Sequence, residues 1–363
     1  MSAIRRLYRG ETRIDFIGSR KRWYLASLVM IVICVLSISI RGFNIGIDFK
    51  GGTQFQVRAA NTSLTTTQVE QAMNSTGHQA EGAAQEVGSG ATRQIVVKTH
   101  ELNLGQQTEV QNKLSSQLHL KSDAISVDSV SSSWGSEITR KAVYGLLIFL
   151  VAVFLYIAVR FEVKMAIAAL GALLHDLIIA AGIYSIVGFE LTPSTIVGLL
   201  TILGFSLYDT VVVFDKVSEN TRDLLATARM TYGEAANLAV NQTLMRSINT
   251  SLISLLPVAG LLFVGAGMLG VGTIKDLALI LFVGLAVGAY SSLFLATPVV
   301  VDLKEREPRY RALSRRVQAK RSSQRLSGEP VLAGAAAGAP AAPPASTPPR
   351  PGARPASRGR RRP

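Results

Sequence analysis

Cysteine and histidine are nearly absent from this 363-residue chain. Cys34 is the one cysteine, which excludes a disulfide framework and a thiolate metal centre. The four histidines are His78, His100, His119 and His175. Their spacing fits no metal-ligand pattern, so we expect neither a metal nor a cofactor. A phosphate-binding loop is also missing, because Lys50 precedes the glycine pair Gly51 and Gly52 instead of following it.

Charge is scarce over most of the length. Only 17% of the residues are charged, 48% are hydrophobic, and the mean hydropathy is +0.31. This composition is too apolar for an ordinary soluble enzyme and predicts a polytopic membrane protein. Six apolar runs predict transmembrane helices at Trp23–Ile40, Ala142–Val159, Met165–Val187, Pro193–Phe214, Ile248–Val264 and Leu277–Val301. The first run resembles a signal peptide but lacks a cleavage site, so we expect it to remain as an anchor.

The segment between the first two predicted helices alternates strand and helix signals. Their order is strand, helix, strand, strand, helix, strand, which is typical of an α+β ferredoxin-like domain. Thr65 and Gln68 have the spacing of a capping box at the start of the first of these helices. The predicted domains are a basic leader at 1–22, the first transmembrane helix at 23–40, an outer α+β domain at 41–137, a five-helix transmembrane bundle at 138–303, and a basic tail at 304–363.

Lysine and arginine collect in segments that fall on one side of the membrane if there are six helices. These segments are the leader, the link Arg160–Lys164, the loop Asp215–Met245 and the tail. Basic flanks resist translocation, so we expect both termini in the cytoplasm and the domain 41–137 outside a cytoplasmic (inner) membrane. The tail alone carries a net charge of +12 out of +14. Its Ala, Pro and Arg content predicts disorder, with anionic lipid or the ribosome as its partner.

Four polar residues in or next to the apolar runs are candidates for function. Asp209 lies in the fourth predicted helix, where a carboxylate costs roughly 2.5 to 3.5 kcal/mol and is typical of ion or proton transport. His175 and Asp176 lie near the middle of the third helix, and Arg246 lies just before the fifth. Structural interpretations stay open: an acid paired for stability, a His–Asp pair satisfied internally, and an arginine that snorkels to the cytoplasmic interface.

Three motifs together resemble the SecF family, the subunits of the bacterial SecDF protein-export complex in the resistance-nodulation-division superfamily. They are GIDFKGGT after the first helix, HD in the third, and DTVVVFDKVSEN closing the fourth. NQTLMRSINTS, Asn241–Ser251, is similar to the stretch that opens the family's fifth helix. The resemblance covers about Ile4 to Lys304. It departs from the family at Tyr208, where asparagine is usual.

The resemblance implies an accessory export subunit rather than an enzyme. Such a subunit acts with SecD beside the SecYEG channel on a translocating preprotein, with a YajC-like subunit as a further partner and no DNA. Carried over by residue, a proton relay falls on Asp209, Arg246, Asp176 and His175. The glycine motif falls on Gly46, Asp48, Gly51 and Gly52, and we expect its glycine pair at the junction between the outer domain and the membrane. The superfamily has two related halves, and this chain supplies one, so a partner half is expected.

Two other functions fit parts of the sequence. A proton-driven exporter of small molecules or lipids belongs to the same superfamily, but such pumps carry large outer domains in both halves of one long chain. An intramembrane hydrolase would use His175 and Asp176, and it needs a nucleophile or a second metal-ligand pair near them. The sequence offers neither, so protein export remains the favoured interpretation.

Overall fold

The computed structural model of the chain describes residues 14–60, 63–88, 90–266 and 272–326. The helices are α1 (Arg20–Arg41), α2 (Ile47–Lys50), α3 (Thr66–Ser75), α4 (Leu104–Gln117), α5 (Ser132–Arg160), α6 (Val163–Val187), α7 (Pro193–Thr221), α8 (Leu224–Thr227), α9 (Tyr232–Gly260), α10 (Gly272–Ser291), α11 (Thr297–Glu305) and α12 (Pro308–Leu326). The strands are β1 (Asn44–Ile45), β2 (Gly52–Arg58), β3 (Gln85–Val87), β4 (Gln94–Thr99), β5 (Ile125–Val130) and β6 (Glu190–Leu191). A π-helical turn, Ser292–Ala296, joins α10 to α11.

Among the described residues, six helical segments are long and apolar enough to cross a membrane. They cover Arg20–Arg41, Ser132–Arg160, Val163–Val187, Pro193–Thr227, Tyr232–Val264 and Lys275–Glu305. The predicted number and order of transmembrane helices are confirmed. A length of about 20 residues suffices to cross the hydrocarbon layer, so several of these helices extend beyond it.

The helix ends correct two sequence-based boundaries. Helix α5 begins at Ser132, so the predicted outer domain, 41–137, ends earlier and the helix continues outward past Ala142. Helix α9 begins at Tyr232, so most of the predicted loop Asp215–Met245 is helical. Hydropathy detects only the part of a helix that lies in lipid, and the polar ends of these helices are stabilised by other means.

The N-terminus of α9 is one such polar end. The Thr231 side chain accepts a hydrogen bond from the Glu234 backbone N–H, and the Glu234 carboxylate accepts one from the Thr231 N–H, which forms a capping box. The next turns bury Ala235, Ala236 and Ala239 completely. Small buried residues of this kind allow close helix packing without raising the hydropathy as much as leucine does.

Helix α12 corrects the predicted tail. Disorder was expected from residue 304, but a helix runs through Leu326, and the rest of the tail lies outside the described residues. Tyr310, Leu313 and Val317 are buried in the same core as the bundle. Their spacing of three and four residues places them on one helical face, which explains why this basic segment is ordered.

The outer domain contains the predicted ferredoxin-like fold. Its antiparallel sheet has the strand order β3-β4-β2-β5. Helices α3 and α4 cover one face, where Phe55 and Val57 of β2 pack against Val69 and Val110. The predicted capping box is present, with the Gln68 N–H donating to Thr65 Oγ1 at 3.3 Å. The opposite, polar face of the sheet lines a cavity of about 890 Å³ that reaches the outer end of the bundle.

Two contacts tie this domain to the connection between α6 and α7. Strand β1 pairs in parallel with β6, with Ile45 opposite Leu191. Lys98 of β4 places its Nζ 2.5 Å from Glu190 Oε2, and both side chains are mostly buried. The domain is therefore held to the bundle by chain segments outside its own two covalent connections.

A strap formed by Ile14–Ile17 crosses the opposite end of the bundle. Asn237 Oδ1 accepts the N–H groups of Phe16 and Ile17 at 2.8 and 3.2 Å. Asn241 Oδ1 accepts the Ile14 N–H at 3.0 Å. The Phe16 ring is 2% exposed and packs against Phe294, so the strap is part of the bundle core.

Candidate functional site

Two carboxylates lie buried inside the bundle. Asp176 of α6 is 1% exposed and Asp209 of α7 is 8% exposed. Each accepts hydrogen bonds from two serine hydroxyls, and we call these six residues the acid layer: Asp176, Asp209, Ser206, Ser247, Ser291 and Ser292. Both acids therefore face the interior of the bundle.

Asp176 is held from three sides. Its Oδ2 accepts from Ser206 Oγ at 2.6 Å and from Ser291 Oγ at 2.8 Å. Its Oδ1 lies 3.0 Å from His175 Nδ1. A carboxylate can only accept, so the Nδ1 proton points toward Asp176. The His175 Nε2 atom is then the free ring nitrogen, and it is buried without a hydrogen-bond partner within the described part of the chain.

Asp209 accepts hydrogen bonds from α9 and from the π-helical turn that follows α10. Ser247 Oγ donates to Asp209 Oδ1 at 2.7 Å, and Ser292 Oγ donates to Asp209 Oδ2. A cavity of about 30 Å³ lies beside the carboxylate, lined in part by Tyr208, Thr250, Ser251 and Ser254. That volume is enough for a water molecule, and the lining offers the polar partners that such a water needs. A water molecule in this cavity would lie next to the Asp209 carboxylate.

Consecutive residues of one helix contact both acids. Ser291 ends α10 and donates to Asp176, whereas Ser292 begins the π-helical turn and donates to Asp209. Single π turns insert an extra residue into a helix and are frequent at functional sites. The acids on α6 and α7 are thus joined through adjacent residues of a third segment.

Close packing of α10 against α7 brings Ser291 and Ser292 within hydrogen-bond distance of the two acids. A Cβ atom at Gly284 of α10 would lie 2.0 Å from Ile202 Cδ1 of α7, a distance that no side chain tolerates. Only glycine lets the two helices approach this closely. Ser206 then sits within hydrogen-bond distance of an acid on one neighbour and next to Gly288 on another.

Arg246 lies elsewhere. Its Nη2 donates to Tyr208 Oη at 3.2 Å, and both side chains are exposed on the bundle surface. Among the described residues it forms no ion pair, and the hydroxyl of the next residue, Ser247, reaches Asp209 instead. Consecutive helix residues differ in direction by about 100°, so Ser247 faces Asp209 while Arg246 points to the bundle surface.

The glycine motif lies at the junction between the outer domain and α5. Gly51 has φ +77°, and a Cβ there would lie 2.5 Å from the Ser132 Cα atom. Gly52 starts β2, and the Gly46 N–H donates to the Leu191 carbonyl at 2.9 Å. Asp48 is half-buried, and burial raises the pKa of its carboxyl group while nearby Lys98 opposes the rise.

The four serines of the acid layer were missed by sequence reasoning. Serine is common in transmembrane helices, where its hydroxyl also bonds the helix backbone, so it gives no signal alone. One usable signal existed: Ser206 precedes Asp209 by three residues and therefore lies on the same helical face.

Comparison with known proteins gives matches to two family models. The family model described as "Protein export membrane protein SecD/SecF, C-terminal" matches residues 109–306, and the "SecD/SecF GG Motif" model matches residues 36–62. The protein translocase subunit SecF of Streptomyces coelicolor is 47% identical over 333 residues, which cover 91% of this chain and 87% of that protein.

Two solved structures have the same architecture. The crystal structure of SecDF from Thermus thermophilus, described as a translocon-associated membrane protein, has a TM-score of 0.73 at 34% identity and covers 82% of this chain. This chain spans 39% of the length of that SecDF chain. A SecDF structure in a super-membrane-facing form has a TM-score of 0.57 at 31% identity, with 87% of this chain and 40% of that chain covered. With the family models, the relatives and the fold in agreement, this chain belongs to the SecD/SecF family of protein export membrane proteins.

Proposed function

We propose that this chain is a subunit of the Sec protein translocase that, together with a SecD-like partner, uses the proton gradient to help complete the export of preproteins. Export itself is the function carried by the names of the relatives. The observation that supports a proton-driven mechanism is the acid layer. Two carboxylates inside transmembrane helices are costly, and such residues usually serve ion or proton movement.

The serine hydroxyls make the acid layer suitable for both protonation states. A hydroxyl donates to a carboxylate, and after rotation it accepts from a protonated carboxyl group. Each acid can therefore gain or lose a proton without leaving a buried group unpaired. Proton uptake at Asp209 does work only if two arrangements of the protein bind the proton with different affinity.

The available driving force sets a lower limit on the number of protons. Moving one charge across the membrane is worth roughly 2.3 kcal/mol per 100 mV, so a gradient of about 150 mV supplies about 3.5 kcal/mol per proton. Shifting a two-state equilibrium from 1:99 to 99:1 requires about 5.5 kcal/mol. One proton therefore biases the conformational balance, and two or more are needed for a full switch. Two acids in one layer are consistent with that requirement.

The exposed polar residues on the bundle surface support a second, SecD-like half of the transporter as a partner. Arg246 and Tyr208 are exposed on transmembrane helices, and a guanidinium group in lipid is unfavourable unless it is paired. The homologous SecDF chain of Thermus thermophilus is more than twice as long as its matching part, which leaves room for such a half. In this proposal Arg246 faces the SecD-like partner and joins the relay there.

The remaining assignments follow from the sequence. The protein lies in the cytoplasmic membrane with both termini in the cytoplasm, because the basic segments lie on one side. Its further partners are the SecYEG channel, the preprotein and a YajC-like subunit, with anionic lipid or the ribosome for the basic tail. It catalyses no covalent reaction of its own.

The test replaces Asp209 with asparagine, which keeps the shape of the side chain and removes its titration. We expect Asp209→Asn to insert, to bind its partner and to support ATP-driven early translocation. We expect it to lose the stimulation of completion by the proton gradient. The measurement is preprotein release into inverted membrane vesicles at fixed ATP, with and without an uncoupler.

Asp215→Asn is the matched control, because Asp215 lies on the same helix but is exposed and pairs loosely with Arg160 at 3.4 Å. It should retain the full uncoupler-sensitive stimulation. If Asp209→Asn retains it as well, Asp209 is not the proton carrier, and Asp176 with His175 becomes the pair to replace next.

A further inference from the structure

Tyr290 contacts His175, the residue whose Nδ1 faces Asp176. Its ring stacks on the His175 ring, with centroids 6.2 Å apart and planes inclined by 29°. Phe294 also stacks on Tyr290, with ring centroids 5.3 Å apart. The imidazole ring therefore packs against a short column of aromatic rings.

The hydroxyl of Tyr290 is bonded to a different helix. Tyr290 Oη donates to the Trp23 backbone carbonyl at 3.2 Å and lies 3.1 Å from Ser27 Oγ. Trp23 and Ser27 belong to α1, and the Ser27 side chain is almost fully buried. One residue of α10 thus holds His175 with its ring and the first helix with its hydroxyl.

Helix α1 also packs directly on α6, the helix that carries His175. Cys34 lies against Gly182, and the Ser37 and Ser185 hydroxyls are 3.0 Å apart. These contacts lie outward of His175, whereas Ser27 lies level with it and Trp23 lies about one helical turn further inward. The first helix therefore spans the relay pair, with fixed contacts above and below it.

The outer end of α1 leads into the outer domain. Ten residues after α1 the chain enters β2, which has a hydrogen-bonded neighbour on each side in the sheet. A movement of that domain is transmitted along α1 because a helix is stiff over its length. At the inner end of α1 the movement meets Tyr290.

We infer that Tyr290 is a positioning residue for His175. The hydroxyl bond to α1 fixes the Tyr290 ring, the ring fixes the imidazole plane, and Nδ1 then stays directed at Asp176. A displacement of α1 releases the imidazole and changes the state of the Asp176 carboxylate. The consequence for transport rests on the proposed function, whereas the control of the imidazole orientation does not.

The orientation can be measured without transport. In a variant with His78, His100 and His119 replaced by glutamine, nitrogen NMR of the protein in nanodiscs reports the tautomer of His175 alone. We expect one tautomer, protonated at Nδ1, in this background. Tyr290→Phe keeps the stack but removes the tie to α1, and it should raise the population of a second ring state about fivefold, the size of effect typical of one lost hydrogen bond. Ser27→Ala should change the spectrum in the same direction.

Tyr184→Phe is the matched control, because the Tyr184 hydroxyl donates to the Asp276 carbonyl in another part of the bundle. It should leave the His175 spectrum unchanged. If Tyr290→Phe and Ser27→Ala both give the background spectrum, Tyr290 does not position His175.

The transport assay separates the two proposals. Tyr290→Phe should reduce uncoupler-sensitive export several-fold, and Tyr184→Phe should not. If the parent protein shows no uncoupler-sensitive export while the NMR change is present, the proposed function is wrong and the positioning role stands. If export is uncoupler-sensitive but Tyr290→Phe alters neither export nor the spectrum, the positioning role is wrong.

Discussion

Ser291 and Ser292 give one helical segment a direct contact with two titratable groups. Their hydroxyls bond Asp176 and Asp209, which lie on different helices. Deleting a donor to a buried charged group costs about 1–3 kcal/mol, so each serine has a measurable effect by itself. A change in one acid reaches the other through a single peptide bond.

Ser292→Ala should therefore lower the thermal stability of the protein in nanodiscs and reduce uncoupler-sensitive export. The expected loss is about 1–3 kcal/mol, because Asp209 keeps only the Ser247 donor. Ser292→Thr keeps a hydroxyl and should restore both properties in large part. Thr201→Ala removes an exposed hydroxyl that bonds only the Val197 carbonyl of α7, and it should affect export little. Equal export by Ser292→Ala and Thr201→Ala would contradict a role for Ser292.

Functional residues were predictable from the sequence only where placing the side chain in a membrane costs much free energy. Asp209 and Asp176 stood out because buried acids are rare in apolar helices. The serines did not, because serine costs little there. The face on which Arg246 lies also escaped prediction, since it depends on how α9 is rotated against α7 and not on depth in the membrane.

At the scale of elements, the apolar centres of the transmembrane helices and the order of strands and helices along the outer domain were predictable. Both follow from local periodicity and from the spacing of turns. The helix ends were not, because capping at Thr231 and burial of Tyr310 replace hydropathy as the stabilising factor. The parallel pair of β1 with β6 joins residues far apart in sequence and has no local signal.

One element boundary is sensitive to pH. Glu101 Oε2 accepts the Ser132 N–H at 3.1 Å and the Ser132 hydroxyl at 3.0 Å, at the N-terminus of α5. These bonds favour the charged form and hold the pKa of Glu101 below the ordinary value of 4.5. A depressed pKa stabilises the fold above 4.5, and the contribution disappears as the pH falls through the lower, folded-state value.

We therefore expect the amides at 132–135 to lose hydrogen-exchange protection as the pH falls below 4.5, after correction for intrinsic exchange rates. Glu101→Gln keeps an acceptor oxygen but cannot titrate, so this pH dependence should vanish. Glu137→Gln is the control, because Glu137 pairs with Lys141 on the exposed surface of the same helix. Persistence of the pH dependence in Glu101→Gln would assign it to another group.

At the scale of the whole molecule, the contacts between the outer domain and the bundle include the Gly51–Ser132 junction, the β1–β6 pair and the Lys98–Glu190 ion pair. The first two involve backbone atoms, whereas the third joins two side chains. A movement of the domain against the bundle can therefore break and re-form the ion pair without rearranging the backbone.

Charge reversal tests this. Lys98→Glu and Glu190→Lys should each lower uncoupler-sensitive export, and the double variant should recover part of it. A coupling free energy of about 0.5–3 kcal/mol is expected in hydrogen exchange of β4, because the side chains are in contact and mostly buried. The exposed pair Glu137 and Lys141, reversed in the same way, should show almost no coupling. Additive effects at Lys98 and Glu190 would exclude the ion pair as a functional contact.

The strap also sets an order of events during synthesis. Ile14 binds Asn241, which is separated from it by 227 positions. At roughly 5–20 residues per second, a ribosome needs about 10 to 45 s to make the intervening chain. The strap N–H groups that Asn237 and Asn241 bind lack these partners throughout that time, although the first helix is already made. The strap is therefore translated well before the asparagines that bind its backbone, so these native contacts form late relative to its own synthesis.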